Sequence, residues 1–517
     1  MQKFHSIEPK SVSRRAFVKA LGVGIGGLGA AAAAVPVFHD IDEIIQTGQD
    51  IQVKEPMPWW VRERDYLNPT VEVDWNVLQQ FDKDSYNNNT AHLTAEHVKA
   101  RSDAEMKQRK DKILANFPGH RLQDIGLNLC GRVMRSHTAK GAYGIGAGSE
   151  QLELLGMQRT DTGYGTSAFT YYCETPQERG VPIYQGTPEE NTHMMRCISR
   201  YAGGTQCGFS ILDEKTSKFM WKGKSWNWVD DPNLKDPTYV NGVYNIPKAL
   251  RYVCNPIIQQ DIGGTRRPPT NYSGLNVGKG YFQSALANVR LHAFIKTLGY
   301  HSFGANSAGA NTGFGVMSGA GEVLRLHELS SPYVGPLFRR ANIFCTDLPM
   351  VATNPIDMGV TRFCYTCRKC SNLCPTGAIP TFAEPSWDIT PASSHAADPD
   401  NLKPTLFNQP GKKIWYLNHF ACQQNWIFTD SGCGICQGAC VFSKMGVQSI
   451  HSLVKTTVSM TPIFNGFFTN MDKFFGYGNI GYDPNVPAPG STAEYTQKME
   501  EMNSWWNEPR PIYGLNY

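Results

Sequence analysis

The sequence has little net charge, no long hydrophobic run beyond its start and none of several common catalytic motifs. Its 517 residues carry a formal net charge of +4, and no lysine- or arginine-rich run indicates a nucleic-acid partner. Beyond residue 34, no continuous apolar stretch is long enough to span a bilayer. Walker A, Gly-x-Ser-x-Gly and His-Glu-x-x-His motifs are absent, which argues against the nucleotide-binding and hydrolytic sites that they mark. A hydrophobic content of 41% still predicts a folded protein of more than one domain.

The N-terminus predicts export in a folded state. Arg14 and Arg15 are followed by Phe17, a Gly/Ala-rich segment and small residues up to Ala34, which is typical of a twin-arginine signal peptide. The alternative, a membrane helix, is disfavoured because the segment is short and weakly hydrophobic. The twin-arginine route transports folded proteins, so the signal also predicts a cofactor that is inserted before export.

The cysteines indicate iron–sulfur clusters rather than disulfides. Of the 14 cysteines, eight fall into two tight groups, whereas disulfide frameworks spread along a chain. The first group has the C-x2-C-x2-C-x3-C-P spacing of bacterial ferredoxins, and the second has a displaced first cysteine and Val441 in place of proline. The groups are Cys364, Cys367, Cys370 and Cys374, then Cys422, Cys433, Cys436 and Cys440.

Two [4Fe–4S] clusters with crossed ligands fit this spacing best. In two-cluster ferredoxins the last cysteine of each group binds the other group's cluster. We therefore predict a first set of Cys364, Cys367, Cys370 and Cys440 and a second set of Cys374, Cys422, Cys433 and Cys436. The alternatives are one cluster per group, a [3Fe–4S] cluster in the second position, or zinc, which prefers two separated C-x2-C pairs.

More than 300 residues precede these cysteines and predict a second functional region. Apolar periodicity indicates a helix from Gly280 that stops at Gly299, and Thr187 with Glu190 indicates a helix start. The glycines that follow the first helix suggest close approach of the backbone to a flat or bulky cofactor. The candidates for cofactor contact are Gly304, Gly309, Gly313 and Gly321. Rossmann, c-type haem and Asp-x-His-x-x-Gly cobalamin motifs are absent here, so the residues alone leave the cofactor unnamed.

The combination of motifs resembles the corrinoid-dependent reductive dehalogenases of organohalide-respiring bacteria. It comprises the twin-arginine signal, a Gly-Glu-x-x-Arg segment at Gly321–Arg325, the Thr346–Pro349 segment and the two cysteine groups in this order. Segments such as Pro58–Val61 and Thr461–Phe468 are most similar to the chloroethene-reducing members. The resemblance implies an α+β fold, with a nitroreductase-like core that binds a base-off corrinoid, followed by a ferredoxin-like domain with two [4Fe–4S] clusters.

The resemblance also implies roles for individual residues. A tyrosine donates a proton to the dehalogenated carbon in this family, and a nearby cation lowers its pKa by favouring the phenolate. Tyr281 matches the proton donor, and Asn306 is a candidate for lining the pocket. Arg339 or Arg340 matches the cation, with Arg325 as the alternative. His292, His301 and His327 are interpreted as ordinary core or surface histidines. The first cysteine set is expected to bind the cluster nearer the cobalt.

The predicted function is respiratory reduction of an organohalide, with a chlorinated alkene as the favoured substrate. The expected partners are a small hydrophobic membrane-anchor protein and an electron donor in a membrane respiratory complex, with the enzyme peripheral on the outer face of the cytoplasmic membrane. An exported electron-transfer subunit and an epoxyqueuosine-type corrinoid reductase are the alternatives. The predicted divisions are a signal peptide at 1–34, an N-terminal region at 35–150, a corrinoid-binding catalytic core at 151–350, a two-cluster domain at 351–450 and a C-terminal region at 451–517.

Overall fold

The computed structural model of the chain describes most residues from 56 to 478. The described residues are 56–82, 107, 110–125, 175–224, 226–241, 243–268, 270–305, 308–389, 408–419, 421–422, 433–444, 449–478 and 505–506. The predicted signal peptide and Asn306 lie outside them. In the part of the chain that the structure describes, no helix is both long enough and apolar enough to cross a membrane.

An antiparallel sheet forms the centre of the upstream region. Its longest strand, β6, pairs antiparallel with β2, β10 and β11, and β11 also pairs with β7. The first seven strands are β1 (Arg62–Glu63), β2 (Cys207–Ile211), β3 (Trp226–Val229), β4 (Thr238–Val240), β5 (Val243–Pro247), β6 (Tyr252–Gln259) and β7 (Ser302–Gly304). The other five are β8 (Glu322–Val323), β9 (Leu329–Ser330), β10 (Phe338–Ala341), β11 (Phe344–Thr346) and β12 (Ile356–Asp357). Strands β3, β5 and β4 form a separate small sheet, while β1–β12 and β8–β9 form two-stranded pairs.

Helices cover the central sheet and carry the cysteines. They are α1 (Pro188–Tyr201), α2 (Ile262–Thr265), α3 (Asn271–Leu298), α4 (Asn311–Met317), α5 (Val360–Cys367), α6 (Lys369–Asn372), α7 (Ile435–Ala439), α8 (Ser449–Met460) and α9 (Asn465–Phe474). Consecutive side chains of β6 point to opposite faces, so Cys254 packs with Leu291 and Ile295 of α3 while Val253 packs with Phe303 on the other face. The α+β class is therefore confirmed.

The ends of α1 and α3 follow the predicted signals. Thr187 caps α1 with a complete capping box, in which its side chain accepts from the Glu190 N–H and Glu190 reaches back to the Thr187 N–H. Helix α3 ends before Gly299, whose φ of 91° is the left-handed conformation that glycine adopts readily. Its start at Asn271 lies upstream of the predicted Gly280.

Candidate active site

Two glycines with left-handed backbone begin the helices that carry cysteines of both groups. Gly359, with a φ of 79°, precedes α5, and Gly434, with a φ of 86°, precedes α7. A side chain at 359 would overlap the Val458 carbonyl of α8, so the turn also allows close packing against the C-terminal helices. The two groups therefore share a local design, in which a glycine turn leads directly into a short cysteine-bearing helix.

The first predicted cysteine set surrounds a single pocket. Cys364, Cys367, Cys370 and Cys440 all line it, with an apolar wall that includes Phe363. Burial raises the pKa of the Cys370 thiol, and the neighbouring Cys364, Cys367 and Cys440 thiols raise it further. Cys440 comes from the downstream group, so the fold brings it to the other three as the crossed arrangement requires.

The second predicted set also converges. Burial raises the pKa of the Cys422 thiol, and its neighbours Cys433 and Cys374 raise it further. Burial likewise raises the pKa of the Cys436 thiol, and the neighbouring Cys433 raises it further. Iron binds the thiolate, so cluster insertion at either set would release protons from thiols that burial otherwise keeps protonated.

The arrangement fits a cluster better than a single ion. Among the described side chains, no three or more His, Cys, Asp or Glu residues are placed to hold one metal ion together. Zinc requires its ligands at about 2.0–2.3 Å from one centre. Thiols that instead surround a pocket fit the separate iron corners of a [4Fe–4S] cluster.

Arg325 supports the loop of the first cysteine group. Its guanidinium, 1% exposed, donates to the carbonyl of Cys364 at 2.7 Å and to those of Pro380, Phe382 and Ala383 at 2.8, 2.6 and 3.0 Å. It also stacks over Trp415, with 4.6 Å to the ring centroid. These contacts use its donors on backbone carbonyls, so the structure gives Arg325 a structural role at this loop.

Glu322 in the same Gly-Glu-x-x-Arg segment stabilises the helix that carries Cys364. Its carboxylate accepts from the backbone N–H of Met358 at 2.7 Å and of Val360 at 3.2 Å, at the start of α5. A carboxylate at a helix N-terminus interacts favourably with the free N–H groups there. The segment, which begins at β8, thus contacts the first cysteine group and its helix through both of its charged residues.

Tyr281 and Arg339 form a pair on facing elements. The Arg339 guanidinium on β10 lies over the Tyr281 ring of α3, at 5.0 Å from the centroid, and donates to its hydroxyl at 3.3 Å. Burial alone would lower the pKa of Arg339, but Tyr281 and Glu328 together raise it. The interaction is reciprocal, because a cation at this distance favours the phenolate form of the tyrosine.

Gly280 makes this approach possible. A Cβ at position 280 would overlap the Cβ of Arg339, so only glycine lets β10 lie this close to α3. From the sequence, Gly280 was predicted only as the start of a helix, and its contact with Arg339 was not identified. A glycine directly before the predicted proton donor Tyr281 could have indicated a close approach at this point.

Glu328 connects the tyrosine–arginine pair to the second cysteine set. Its carboxylate interacts with Arg339 and accepts from the side-chain amide of Gln437, which follows Cys436. Both residues interact electrostatically with the Cys422 thiol: Glu328 raises the pKa of the thiol and Arg339 lowers it. The second set therefore lies beside Arg339 and its partner Tyr281. That the first set binds the cluster nearer the cobalt stays a prediction, and this placement does not favour it. Neither Glu328 nor Gln437 was identified from the sequence, because no motif marks them.

Three basic side chains lie close together, one of them next to Glu328 in the sequence. Burial lowers the pKa values of His327, Lys412 and His419 to about 3, 7 and 4, respectively. The charge of Lys412 lowers the pKa values of both histidines further. The His327 and His419 rings are in edge-to-face contact at 5.5 Å between centroids. His327, interpreted from sequence as an ordinary histidine, belongs to this buried basic group.

The predicted cofactor glycines pack against protein. Added Cβ atoms would meet the Phe219 ring at Gly313, the Ser330 carbonyl at Gly321, and Ile343 and Met220 at Gly309. Gly304 belongs to β7 and pairs with Phe344 of β11. Their evident role is close packing of the core, and cofactor contact stays a prediction that these contacts do not support. Asn306 and the side chain of Arg340 lie outside the described parts of the structure.

Comparison with known proteins agrees with the family inferred from the motifs. The family model "Reductive dehalogenase subunit" matches residues 56–225, and the model "4Fe-4S double cluster binding domain" matches residues 363–443, which include all eight clustered cysteines. A chloroethene reductive dehalogenase of Dehalococcoides mccartyi strain VS is 29% identical over an alignment that covers 100% of this chain and 99% of the relative.

Solved structures share the fold. A catabolic reductive dehalogenase aligns with a TM-score of 0.54 and 18% identity, covering 84% of this chain and 51% of that chain. A second reductive dehalogenase, solved in connection with B12-dependent dehalogenation, aligns with a TM-score of 0.51 and 18% identity, over 81% of this chain and 49% of the other. This chain thus spans about half the length of the solved ones. The matched family models and the relative aligned over the full length thus show that the chain is similar to reductive dehalogenases, and residues 363–443 match a domain for two [4Fe–4S] clusters.

Proposed function

We propose that the protein removes halogen reductively from a small organohalide, with a chlorinated alkene as the preferred substrate. The overall reaction takes two electrons and one proton, and exchanges a carbon–halogen bond for a carbon–hydrogen bond with release of halide. The observation that carries the proposal is the Tyr281–Arg339 pair beside the second cysteine set, because it places a proton source next to the point where electrons arrive. The full-length similarity to a chloroethene reductive dehalogenase supports the substrate class.

The electrons would enter through the two cysteine sets. We assign Cys364, Cys367, Cys370 and Cys440 to one [4Fe–4S] cluster and Cys374, Cys422, Cys433 and Cys436 to the other. The pocket lined by the first set and the mutual effects of the second set on one another support the crossed assignment. Because the Cys422 thiol of the second set interacts with both Glu328 and Arg339, we place its cluster between the first cluster and the reaction site.

We place the corrinoid on this side of the second set, next to the Tyr281–Arg339 pair. His327, Lys412 and His419, the buried basic group that adjoins Glu328 in the sequence, are the candidates to contact it. The B12-dependent dehalogenation named for the second solved relative supports this cofactor. When bound, a corrinoid would supply the reducing cobalt centre at which the carbon–halogen bond breaks. We infer a nitroreductase-like arrangement for the sheet and helices that enclose it.

The chain's own residues would handle the proton. Tyr281 is the proton donor, and its hydroxyl is held by the hydrogen bond from Arg339. As the proton leaves, the guanidinium stabilises the phenolate that forms. The Glu328 carboxylate interacts with the Arg339 charge as well, and Gln437 in turn donates to that carboxylate. Arg339 fits this role better than Arg325, whose donors are used on backbone carbonyls.

The cellular setting proposed here follows from the N-terminal motif. We propose export by the twin-arginine route and a peripheral position on the outer face of the cytoplasmic membrane. A small hydrophobic anchor protein and a membrane electron donor would complete the respiratory chain.

A substrate panel tests the proposed function. The purified protein, loaded with corrinoid and clusters, is given a strong low-potential reductant and matched chlorinated alkenes, alkanes and aromatics. We expect chloride release to be fastest with alkenes. Cluster reduction without halide release from any compound would favour the electron-transfer subunit, and turnover of an epoxyqueuosine-containing tRNA would favour the alternative corrinoid reductase.

A further inference from the structure

A buried ionic triad joins the C-terminal helix α9 to the first cysteine group. Lys444 Nζ lies 2.9 Å from one carboxylate oxygen of Asp472, and Lys369 Nζ contacts the other oxygen. The side chains of Lys369, Lys444 and Asp472 are 9%, 5% and 5% exposed. Two ammonium groups thus share one carboxylate, which leaves one positive charge in excess in a buried place.

The triad lies against the pocket that the first cysteine set lines. Lys369 stands between Cys367 and Cys370 in the sequence and lines the same pocket. Lys444 Nζ donates to the backbone carbonyl of Cys440 at 3.3 Å. Both lysines therefore place their charge next to ligands of one cluster.

An uncompensated buried charge is unfavourable unless an opposite charge lies nearby. The first pocket is the place where such a charge would appear, because four thiolates give a [4Fe–4S] cluster a net negative charge that grows by one unit on reduction. A fixed positive charge beside the cluster stabilises the reduced form more than the oxidised form. By contrast, the Cys422 and Cys436 thiols of the second set have the Glu328 carboxylate among their neighbours.

We propose that the Lys369–Asp472–Lys444 triad raises the reduction potential of the cluster bound by the first cysteine set. The inference rests on the proposed assignment of the cluster ligands and does not depend on the substrate. The lysines also contact Tyr477, through its carbonyl for Lys369 and over its ring for Lys444, so a purely structural tie for the C-terminal segment is the alternative.

Opposite charge changes within the triad distinguish the two roles. The test is a redox titration of the reconstituted protein, followed by electron paramagnetic resonance, with the first cluster identified as the signal that Cys364→Ser removes. Asp472→Asn adds net positive charge and should raise the midpoint potential of that signal. Lys444→Met removes positive charge and should lower it. We expect each change to alter the ratio of reduced to oxidised cluster about tenfold at fixed potential, which is about 59 mV for one electron.

Two further variants complete the design. Lys444→Arg keeps the charge and should retain the wild-type potential. Lys455→Met is the matched control, because Lys455 of α8 is also buried but donates to the Pro332 carbonyl at 3.1 Å and does not line the first pocket. If Lys444→Met fails to bind iron, Lys369→Met tests the same direction.

The inference is overturned if Asp472→Asn and the lysine-to-methionine variant shift the midpoint in the same direction or leave it unchanged. A purely structural tie predicts one of these two results. The titration is independent of turnover, so a protein that releases no halide from any substrate would refute the proposed function while this inference could still be measured.

Discussion

The Arg339 guanidinium lies 5.0 Å above the ring centroid of Tyr281 and donates to the Tyr281 hydroxyl. This contact joins α3 to β10 and places a cation on the only polar atom of the tyrosine side chain. Glu328 and Gln437 continue the chain of contacts to the loop of Cys436. The proposed proton donor and the second cysteine set are thus joined by one continuous chain of contacts.

Removal of the Tyr281 hydroxyl should abolish most turnover. Tyr281→Phe keeps the ring under Arg339 but removes the proton. Loss of a positioned general acid costs about 10²–10⁴-fold in rate. Chloride release should fall by this factor, while the visible spectrum of the clusters and the amount of bound cobalt stay unchanged. A Tyr281→Phe variant with the wild-type rate would exclude Tyr281 as the donor.

Loss of the Arg339 charge should move the pH profile upward. Turnover needs the protonated phenol, so activity declines as the pH rises through the tyrosine pKa. Without the cation the phenolate is less stable, so the decline should move to higher pH in Arg339→Met. The rate below the decline should fall as well, because the phenolate that forms is no longer stabilised. The measurement is chloride release from about pH 6 to about pH 11, a range that includes the unperturbed tyrosine pKa of about 10.

Arg325→Met serves as the contrast for Arg339→Met. It should destabilise the protein without moving the pH profile, because it leaves buried backbone carbonyls of Cys364 and Pro380 without their donor. A buried charged donor lost in this way costs about 3 kcal/mol or more. Denaturant unfolding and iron content measure the effect. A stable variant whose pH profile resembles that of Arg339→Met would instead reassign the cation to Arg325.

A methyl group at position 280 should separate the pair. Gly280→Ala places a Cβ where the Cβ of Arg339 lies, so β10 must move away from α3. We expect turnover to fall about tenfold or more, in line with the sensitivity of catalysis to small displacements. Gly466→Ala on α9 is the matched control, because a Cβ there meets only the Thr366 methyl at 3.8 Å, and it should retain the activity. Equal activity of both variants would show that the close approach at position 280 is not needed.

The crossed cysteine assignment predicts which cluster each variant loses. Cys440→Ser should remove the same paramagnetic signal as Cys364→Ser, and Cys374→Ser the same signal as Cys433→Ser. Under the uncrossed alternative, Cys440→Ser would match Cys433→Ser. Spectra of the four variants, recorded at full reduction, separate the two assignments.

Local signals in the sequence predicted local structure well. Thr187 with Glu190, and Gly299, were sufficient for the ends of α1 and α3, since caps act over a few residues. The start of α3 was predicted too late because Gly274, Gly278 and Gly280 oppose a helix by propensity. At Gly280, close packing against Arg339 prevails over that preference.

The candidate site was only partly predictable. The cysteine sets follow from spacing, because ferredoxin loops fix which ligands can meet. Glu328 and Gln437 were missed because their roles depend on β9, β10 and α7 meeting in space, which no local pattern encodes. The placement of the second cysteine set beside Arg339 depends on the same contacts. The glycine-rich segment predicted close contact correctly, but the contacts at Gly309, Gly313 and Gly321 are with the protein itself.

The metal content of the loaded and repurified protein tests the central claim most directly, namely that the electron path ends at a corrinoid. Two [4Fe–4S] clusters and one corrinoid give about one cobalt to eight iron atoms, and this is the ratio that we predict. Iron at the predicted level without retained cobalt would contradict the claim and would leave the protein as an electron-transfer subunit.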